Sequence, residues 1–265
     1  MAKQRRRSPA GGDAFESHYQ VLFGSRWAGL RTSLMQSPHR VAFSEGLLRP
    51  YYLDEASLFA AASLPLAEGD RVVDFCAAPG GKSLVLARRL PPAATLICNE
   101  RSASRRARLH RVLDRYLTSD LRLRIRVTAH DATRWGMLRP KSCDRILLDV
   151  PCSSERHVIG DPTHLERWSQ SRSRHLAIQA FAMLASAIDA LADGGTVLYV
   201  TCALAPAEND EVIDKAFRKR ADCITRLALQ LPWGEPTRYG VHVLPDNAAG
   251  RGPLYVCLLR KTAQV

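Results

Sequence analysis

Two cysteines fifty residues apart carry the chemistry this sequence can do: Cys152 closes Asp149-Val150-Pro151-Cys152, and Cys202 closes Thr201-Cys202. Each follows an apolar run, Arg145 to Val150 and Thr196 to Val200, that reads as a strand. Both thiols are therefore expected just past strand ends. A third string, Asp74-Phe75-Cys76-Ala77-Ala78-Pro79-Gly80-Gly81-Lys82, is a turn of small residues between a strand and a helix, which suits an adenosyl-type cofactor. Two thiols beside such a turn suggest covalent chemistry on a pyrimidine ring.

The chemical need is specific. The C5 position of cytosine is a poor nucleophile until a thiolate adds at C6 and makes C5 carbanion-like, able to attack a methyl sulfonium. A second group must then remove the C5 proton so that the thiol can leave. Such a cycle requires a nucleophilic cysteine, an acidic group at the cytosine N3/N4 edge and a base. Positive charge nearby, from Lys82 or the sulfonium, would help hold the thiolate.

The elements that must position these residues begin with an amphipathic pattern from Phe15 to Met35, broken at Gly24, and a helix from Asp54 to Leu64 capped by Asp54. Beyond Gly69 strands and helices alternate. Strands are expected at 71–75, 95–98, 124–128, 145–149, 196–201 and 254–259, and helices at 81–90, 103–117, 166–191 and 208–219. That succession predicts an α/β fold with a doubly wound, mostly parallel sheet and its turns along one edge. Three regions are expected: a disordered basic tail (1–13), a short helical N-terminal extension (14–64) and a catalytic domain (65–265).

Within Cys76, Ala77, Ala78, Pro79, Gly80, Gly81 and Lys82 the glycines would let backbone approach a ligand, at a helix start rich in unpaired N–H groups. The spacing is not that of a dinucleotide site. Glu100, ending the second strand, could accept hydrogen bonds from ribose hydroxyls, and Asp131, after the third, could hold an adenine amine. Either acid could instead be a helix cap.

The chain has 38 basic against 26 acidic residues, a net charge of +12, which favours a polyanionic partner. Nine arginines lie between Arg101 and Arg126, and Arg101, Arg105, Arg108, Arg111 and Arg115 share one helical face. That stripe either positions RNA phosphates or is a solvated face. The seven cysteines are scattered with no C-x-x-C pair, so no metal site is expected; Cys98, Cys143, Cys223 and Cys257 read as structural. No apolar run is long enough to span a membrane. The protein reads as soluble and reduced, in the cytoplasm or, if its Arg-rich start is a presequence, in the mitochondrion. The polar segment Ser153–His175 reads as a long functional loop at the site entrance, with Arg156, His157, Arg167, Arg172 and Arg174 as candidate contacts and Trp168 either there or in the core.

The strings DFCAAPGGKS (74–83), LLDVPCSSERH (147–157) and YVTCALAPAEND (199–210) closely resemble motifs of the RsmB/Nop/Sun (Fmu) RNA cytosine-5 methyltransferases, over about residues 50 to 260. Residues 51–57 and 99–109 look closest to the branch that modifies mitochondrial small-subunit ribosomal RNA. The resemblance implies the class I methyltransferase fold and S-adenosyl-L-methionine as cofactor. It assigns the nucleophile to Cys202, product release to Cys152, the cytosine edge to Asp149, and a place near both cofactor and base to Lys82. The cofactor would be held by Cys76 to Lys82, Glu100, Arg105, Asp131 and Asp149. Glu100 stands where the family often has Asp, and Ala203 where it has Ser after Thr-Cys. The expected partner is RNA, ribosomal first and transfer RNA second, with a ribosomal particle or protein partner supplying specificity. A DNA or amine-directed methyltransferase fits these strings less well, and a catalytically silent assembly factor is the non-enzymatic alternative.

Overall fold

The computed structural model describes residues 11–263. Helices α1 (Gly12–Phe23) and α2 (Trp27–Met35), joined by a 3-10 turn at Gly24–Arg26, open the chain. Strands β1 (Arg40–Phe43) and β2 (Tyr51–Asp54) pair antiparallel as a separate two-stranded sheet, and α3 (Glu55–Ala62) follows, capped by Asp54 as expected. The main sheet is then laid down by β3 (Arg71–Asp74), α4 (Gly81–Arg89), β4 (Thr95–Asn99), α5 (Ala103–Tyr116), α6 (Ser119–Leu123), β5 (Ile125–Thr128), α7 (Trp135–Leu138) and β6 (Cys143–Asp149). After β6 come three helices, α8 (Glu155–Gly160), α9 (Pro162–Glu166) and α10 (Gln170–Ala190), and then β7 (Leu191–Thr201) and α11 (Asp210–Arg220). The chain finishes with β8 (Ile224–Arg226), β9 (Gly234–Pro236), β10 (Val241–Val243) and β11 (Leu254–Lys261).

The sheet order is β5-β4-β3-β6-β7-β11-β10-β9, with β8 on β11. Strands β5, β4, β3, β6 and β7 are mutually parallel, whereas β11 runs antiparallel to β7. Alternation along the central strands splits the core by face. Leu147, Leu198 and Val200 pack toward α4 and α5, while Ile146, Leu148, Val197 and Tyr199 pack toward α10 and α11. Because β3 and β6 reverse the winding order, their C-terminal turns flank the crevice where such sheets bind ligands. The β6–β7 register sets Asp149 opposite Val200, so the turns bearing Cys152 and Cys202 leave the sheet side by side.

Three expectations change. Helix α1 begins at Gly12, inside the expected basic tail, because Gly11 turns the chain with φ 89° and donates its N–H to the Trp168 carbonyl at 3.0 Å; residues 1–10 lie outside the described residues. The N-terminal extension also contains the β1–β2 sheet. The expected loop over 153–175 is mostly helical, and Trp168 is a core residue, 3% exposed among Phe15, Tyr19, Trp27 and Leu204. Burying a large apolar side chain stabilises by about 1.5–3 kcal/mol, so this shared aromatic cluster ties α1 and α2 firmly to the segment after β6. No described helix is long and apolar enough to cross a membrane.

Candidate active site

The Cys152 and Cys202 sulfurs lie 3.0 Å apart as free thiols, and the Cys202 backbone N–H donates to the Cys152 sulfur at 3.3 Å. The Cys202 thiol is held below the ordinary cysteine range, first because the Cys152 thiol hydrogen-bonds to it. The Ser154 hydroxyl and Lys82 act in the same sense, against burial and Asp149. Cys152 is pushed well up by the same hydrogen bond and by burial. The hydrogen bond between them biases negative charge toward Cys202 and the proton toward Cys152.

Lys82, on the first turn of α4, donates to Asp149 Oδ2 at 2.8 Å. Burial alone would lower the Lys82 ammonium, but the charge and hydrogen bond of Asp149 outweigh it and raise it. No hydrogen bond among the described residues engages Asp149 Oδ1. Asp74, at the end of β3, is buried with one oxygen accepting from the Ser83 hydroxyl at 2.7 Å and the other unpaired. Burial pushes its pKa to about 7.

Two cavities meet at Cys76. One, about 340 Å³, is lined by Asp74, Ala77, Ala78, Pro79, Gly81, Lys82 and Asp149, and is walled by Tyr51 and Arg40 of the extension and by Arg108. The other, about 380 Å³, has an apolar side of Phe75, Ala132 and Met183 and a polar end of Glu100, Arg105 and Asp131. Together they have the character an adenosyl amino acid needs: an apolar slot for a planar base, and polar ends for sugar and amino-acid groups. The fit is supported by Glu100, 5% exposed, whose Oε1 accepts from the Ser102 N–H at 2.8 Å while Oε2 has no hydrogen-bond donor, Arg105 standing 3.4 Å away. A buried carboxylate oxygen left in this state is an acceptor built for something absent from the chain itself. No side chain caps α4, whose first residues Gly81 and Lys82 line the first cavity.

Asp131 caps the turn that follows it and also lines the second cavity. Its Oδ1 accepts from the Thr133 N–H at 3.0 Å and from the Thr133 hydroxyl at 2.7 Å as a cap, while Oδ2 faces the second cavity near Arg101. These Thr133 bonds, with Arg101, hold it below the usual carboxylate range. Arg105 donates to the Ala78 carbonyl at 2.9 Å and so braces the cofactor turn. Cys76 contributes shape: burial drives its thiol far up, and its sulfur rests 3.9 Å from the Met183 sulfur.

The glycines also answer to packing within the chain. A Cβ on Gly80 would come 2.9 Å from Val112 Cγ1, and one on Gly81 would come 2.9 Å from the Tyr51 ring. Their bareness lets α4 approach α5 and β2, and Gly80 sits at φ 120°, which side-chain-bearing residues rarely adopt. Gly81 also lines the first cavity; Gly80 is not among its lining residues.

Sequence reasoning missed Asp74, Tyr51, Arg40 and Asn99. Asn99 uses all its amide capacity to fasten strand ends: it donates to the Phe75 and His130 carbonyls and accepts from the Thr128 hydroxyl and His130 N–H. Arg156, a candidate entrance residue, instead donates to the Gly250, Gly252 and Gln36 carbonyls and has a structural role.

Residues 61–259 match the family model described as 16S rRNA methyltransferase RsmB/F. The chain is 33% identical over 231 residues to the 5-cytosine rRNA methyltransferase NSUN4 of Xenopus laevis, covering 81% of this chain and 57% of that one. It is 34% identical over 229 residues to a mitochondrial tRNA (cytosine(34)-C(5))-methyltransferase of Danio rerio, covering 82% and 62%. In fold it is similar to a methyltransferase homolog from Pyrococcus horikoshii, with TM-score 0.76, 20% identity and coverage of 93% and 94%. The chain spans 57% to 61% of the length of the NSUN4 relatives from three vertebrates. With three quarters of its length matched and both thiol turns inside the match, the chain belongs to the RsmB/F family of 16S rRNA methyltransferases.

Proposed function

We propose that this protein is an S-adenosylmethionine-dependent RNA methyltransferase that forms 5-methylcytosine, with small-subunit ribosomal RNA as substrate. The observation that carries the reading is the pair of thiols 3.0 Å apart beside the Lys82–Asp149 ion pair, at the turns next to the two cavities. When bound, the cofactor supplies an electrophilic methyl group.

The residues divide the work. Cys202, biased toward thiolate, adds to C6 of a cytosine that has left its stack. Asp149 Oδ1 meets the N3/N4 edge while Lys82 fixes Oδ2. Once Cys202 is a thioether it carries no negative charge, so the neighbour that held Cys152 in its protonated form is gone. Cys152 can then release its own proton to solvent and, as a thiolate, take the C5 proton; the C5–H electron pair re-forms the C5–C6 double bond and Cys202 leaves C6 as a thiolate. Glu100 Oε2 is assigned to the ribose, Asp131 Oδ2 to the adenine amine, and Cys76 to Lys82 with Arg105 to the shape of the slot.

RNA would approach over α5. Arg108, Arg111 and Arg115 are exposed, and no ion pair with a described residue involves them. With Tyr51 and Tyr116 they line a surface depression of about 640 Å³ that shares Tyr51 and Arg108 with the first cavity. A row of cations beside two phenol rings suits phosphates and an unstacked base. Two later arginines of this stretch are engaged elsewhere: Arg122 with Asp114, and Arg124 with carbonyls of 90, 91 and 94. A reducing compartment suits two free thiols. We place the protein in the cytoplasm, and a mitochondrial location meets the same requirement.

The direct test is labelled methyl transfer with the two single-cysteine variants. Cys202→Ala should abolish transfer, and Cys152→Ala should accumulate a covalent protein–RNA adduct. Equal, adduct-free loss in both would refute the division of labour.

A further inference from the structure

Behind the two thiols lies a polar cluster that the reaction itself does not use. Glu155, the first residue of α8, is fully buried. Its Oε2 accepts from the Leu204 N–H at 2.8 Å, two residues past Cys202. Its Oε1 accepts from the Ser153 hydroxyl, one residue past Cys152, and from the Tyr19 hydroxyl of α1 at 2.5 Å. Glu208 joins the cluster by accepting from the Ser153 N–H at 2.9 Å. No ion pair with a described cation involves Glu155. A buried carboxylate without a cation depends on its hydrogen-bond donors, and losing one leaves the others to compensate poorly.

One carboxylate thus holds both cysteine turns, and one of its three donors comes from the N-terminal extension. The extension is fastened to the same segment twice more. Arg156, adjacent to Glu155, donates to the Gln36 carbonyl just past α2 at 2.7 Å, and the Phe15 and Trp168 rings meet edge-on at 5.3 Å. On the far side, Asn209 donates to the Ala203 carbonyl at 2.9 Å and accepts from the Thr201 hydroxyl at 2.6 Å, which fastens the Cys202 turn within itself, while Glu155 adds a side-chain tie between the two turns beside the direct bond from the Cys202 N–H to the Cys152 sulfur.

We propose that Glu155 is a positioning residue for both thiols and that Tyr19 is its required third donor, so that the N-terminal extension sets the register of Cys202 against Cys152. The functional consequence rests on the reading that the two thiols share one covalent cycle. Tyr19→Phe keeps the ring in its aromatic cluster and removes only the donor. Glu155→Gln keeps an acceptor for the Leu204 N–H and offers an amide N–H to hydroxyls that can turn round and accept. Glu155→Ala removes everything.

The test measures, on the full chain, iodoacetamide alkylation of Cys202 and of Cys152 separately by peptide mass spectrometry, without RNA or cofactor. Methyl-transfer kcat, RNA KM and Tm are measured on the same preparations. Tyr19→Phe should lower kcat about tenfold, the effect of one hydrogen bond to a charged group, with KM within about twofold. The ratio of Cys202 to Cys152 alkylation should change by at least about fivefold. Glu155→Gln should recover most of what Glu155→Ala loses; if the alanine variant does not fold, Tyr19→Phe and Glu155→Gln carry the test. An unchanged alkylation ratio and kcat in Tyr19→Phe would overturn the proposal, as would a glutamine variant no better than alanine. Methylation surviving in Cys202→Ala would sink the covalent reading instead, while the alkylation ratio would still report on the brace.

Discussion

Glu100→Gln separates what this site does for a ligand from what it does for the fold. In the ligand-free chain Glu100 carries a buried carboxylate with Oε1 held by the Ser102 N–H and Oε2 without a donor. The amide can keep the Ser102 bond through its oxygen, and it trades the long 3.4 Å ion pair with half-exposed Arg105, worth about 0–1 kcal/mol, for relief from burying a charge. Loss of fold stability is therefore not expected, and Tm without ligand should hold or rise. For the cofactor the arithmetic runs the other way. One charged hydrogen bond to a ribose hydroxyl contributes about 1.5–3 kcal/mol, which is roughly tenfold to 150-fold in Kd. Calorimetric titration with S-adenosylmethionine and with S-adenosylhomocysteine should show the same loss, because the ribose is common to both. A Kd within twofold of wild type would refute the assignment of Oε2 to the ribose. A sharp fall in ligand-free Tm would show that the carboxylate is structural instead.

Gly80→Ala combines a backbone strained at φ 120° with a Cβ 2.9 Å from Val112, and should cost about 2–5 kcal/mol of stability, read as a drop in the urea midpoint. Asp74 and Glu208 both have pKa values raised to about 7, chiefly by burial, so between the unfolded carboxylate range and about 7 the folded state holds protons that the unfolded chain has lost. Their contribution to stability therefore falls as pH rises through that window. Asp74→Asn should gain stability relative to wild type on going from pH 5 to pH 8. The comparison must be a difference, because His242, lowered to about 4 by burial, acts in the opposite sense as pH falls. A gain independent of pH would contradict the Asp74 assignment. Replacing Arg111 or Arg115 by Gln should weaken RNA binding uniformly across sequences and reduce the slope of log K against log salt by about one each. An unaltered slope would return α5 to the status of a solvated face.

How much of this was legible in the sequence depends on the range of the interaction. The parallel strands and their helices were readable because alternation and strand–turn–helix punctuation are local; α4 ends one residue from its expected limit and α5 likewise. The three motif strings came together because β3, β6 and β7 are adjacent parallel strands whose turns leave the same edge. Strands β8, β9 and β10 were invisible, since three residues are too few to show a period. Nothing local in the sequence marks Glu155 or Glu208 as buried. Only the fold reveals that Tyr19, 136 residues away, reaches the first of them. The packing reason for Gly80 and Gly81 was hidden in the same way: a close approach to Val112 or Tyr51 leaves no mark in a string of small residues.

The central claim is that Cys202 attacks and Cys152 releases. Labelled S-adenosylmethionine should be incubated with unmodified small-subunit ribosomal RNA, free and in particles, and the product digested to nucleosides. The account predicts label in 5-methylcytidine that vanishes in Cys202→Ala, with a denaturation-resistant protein–RNA adduct in Cys152→Ala. Label in any other nucleoside, or 5-methylcytidine undiminished in Cys202→Ala, would contradict it.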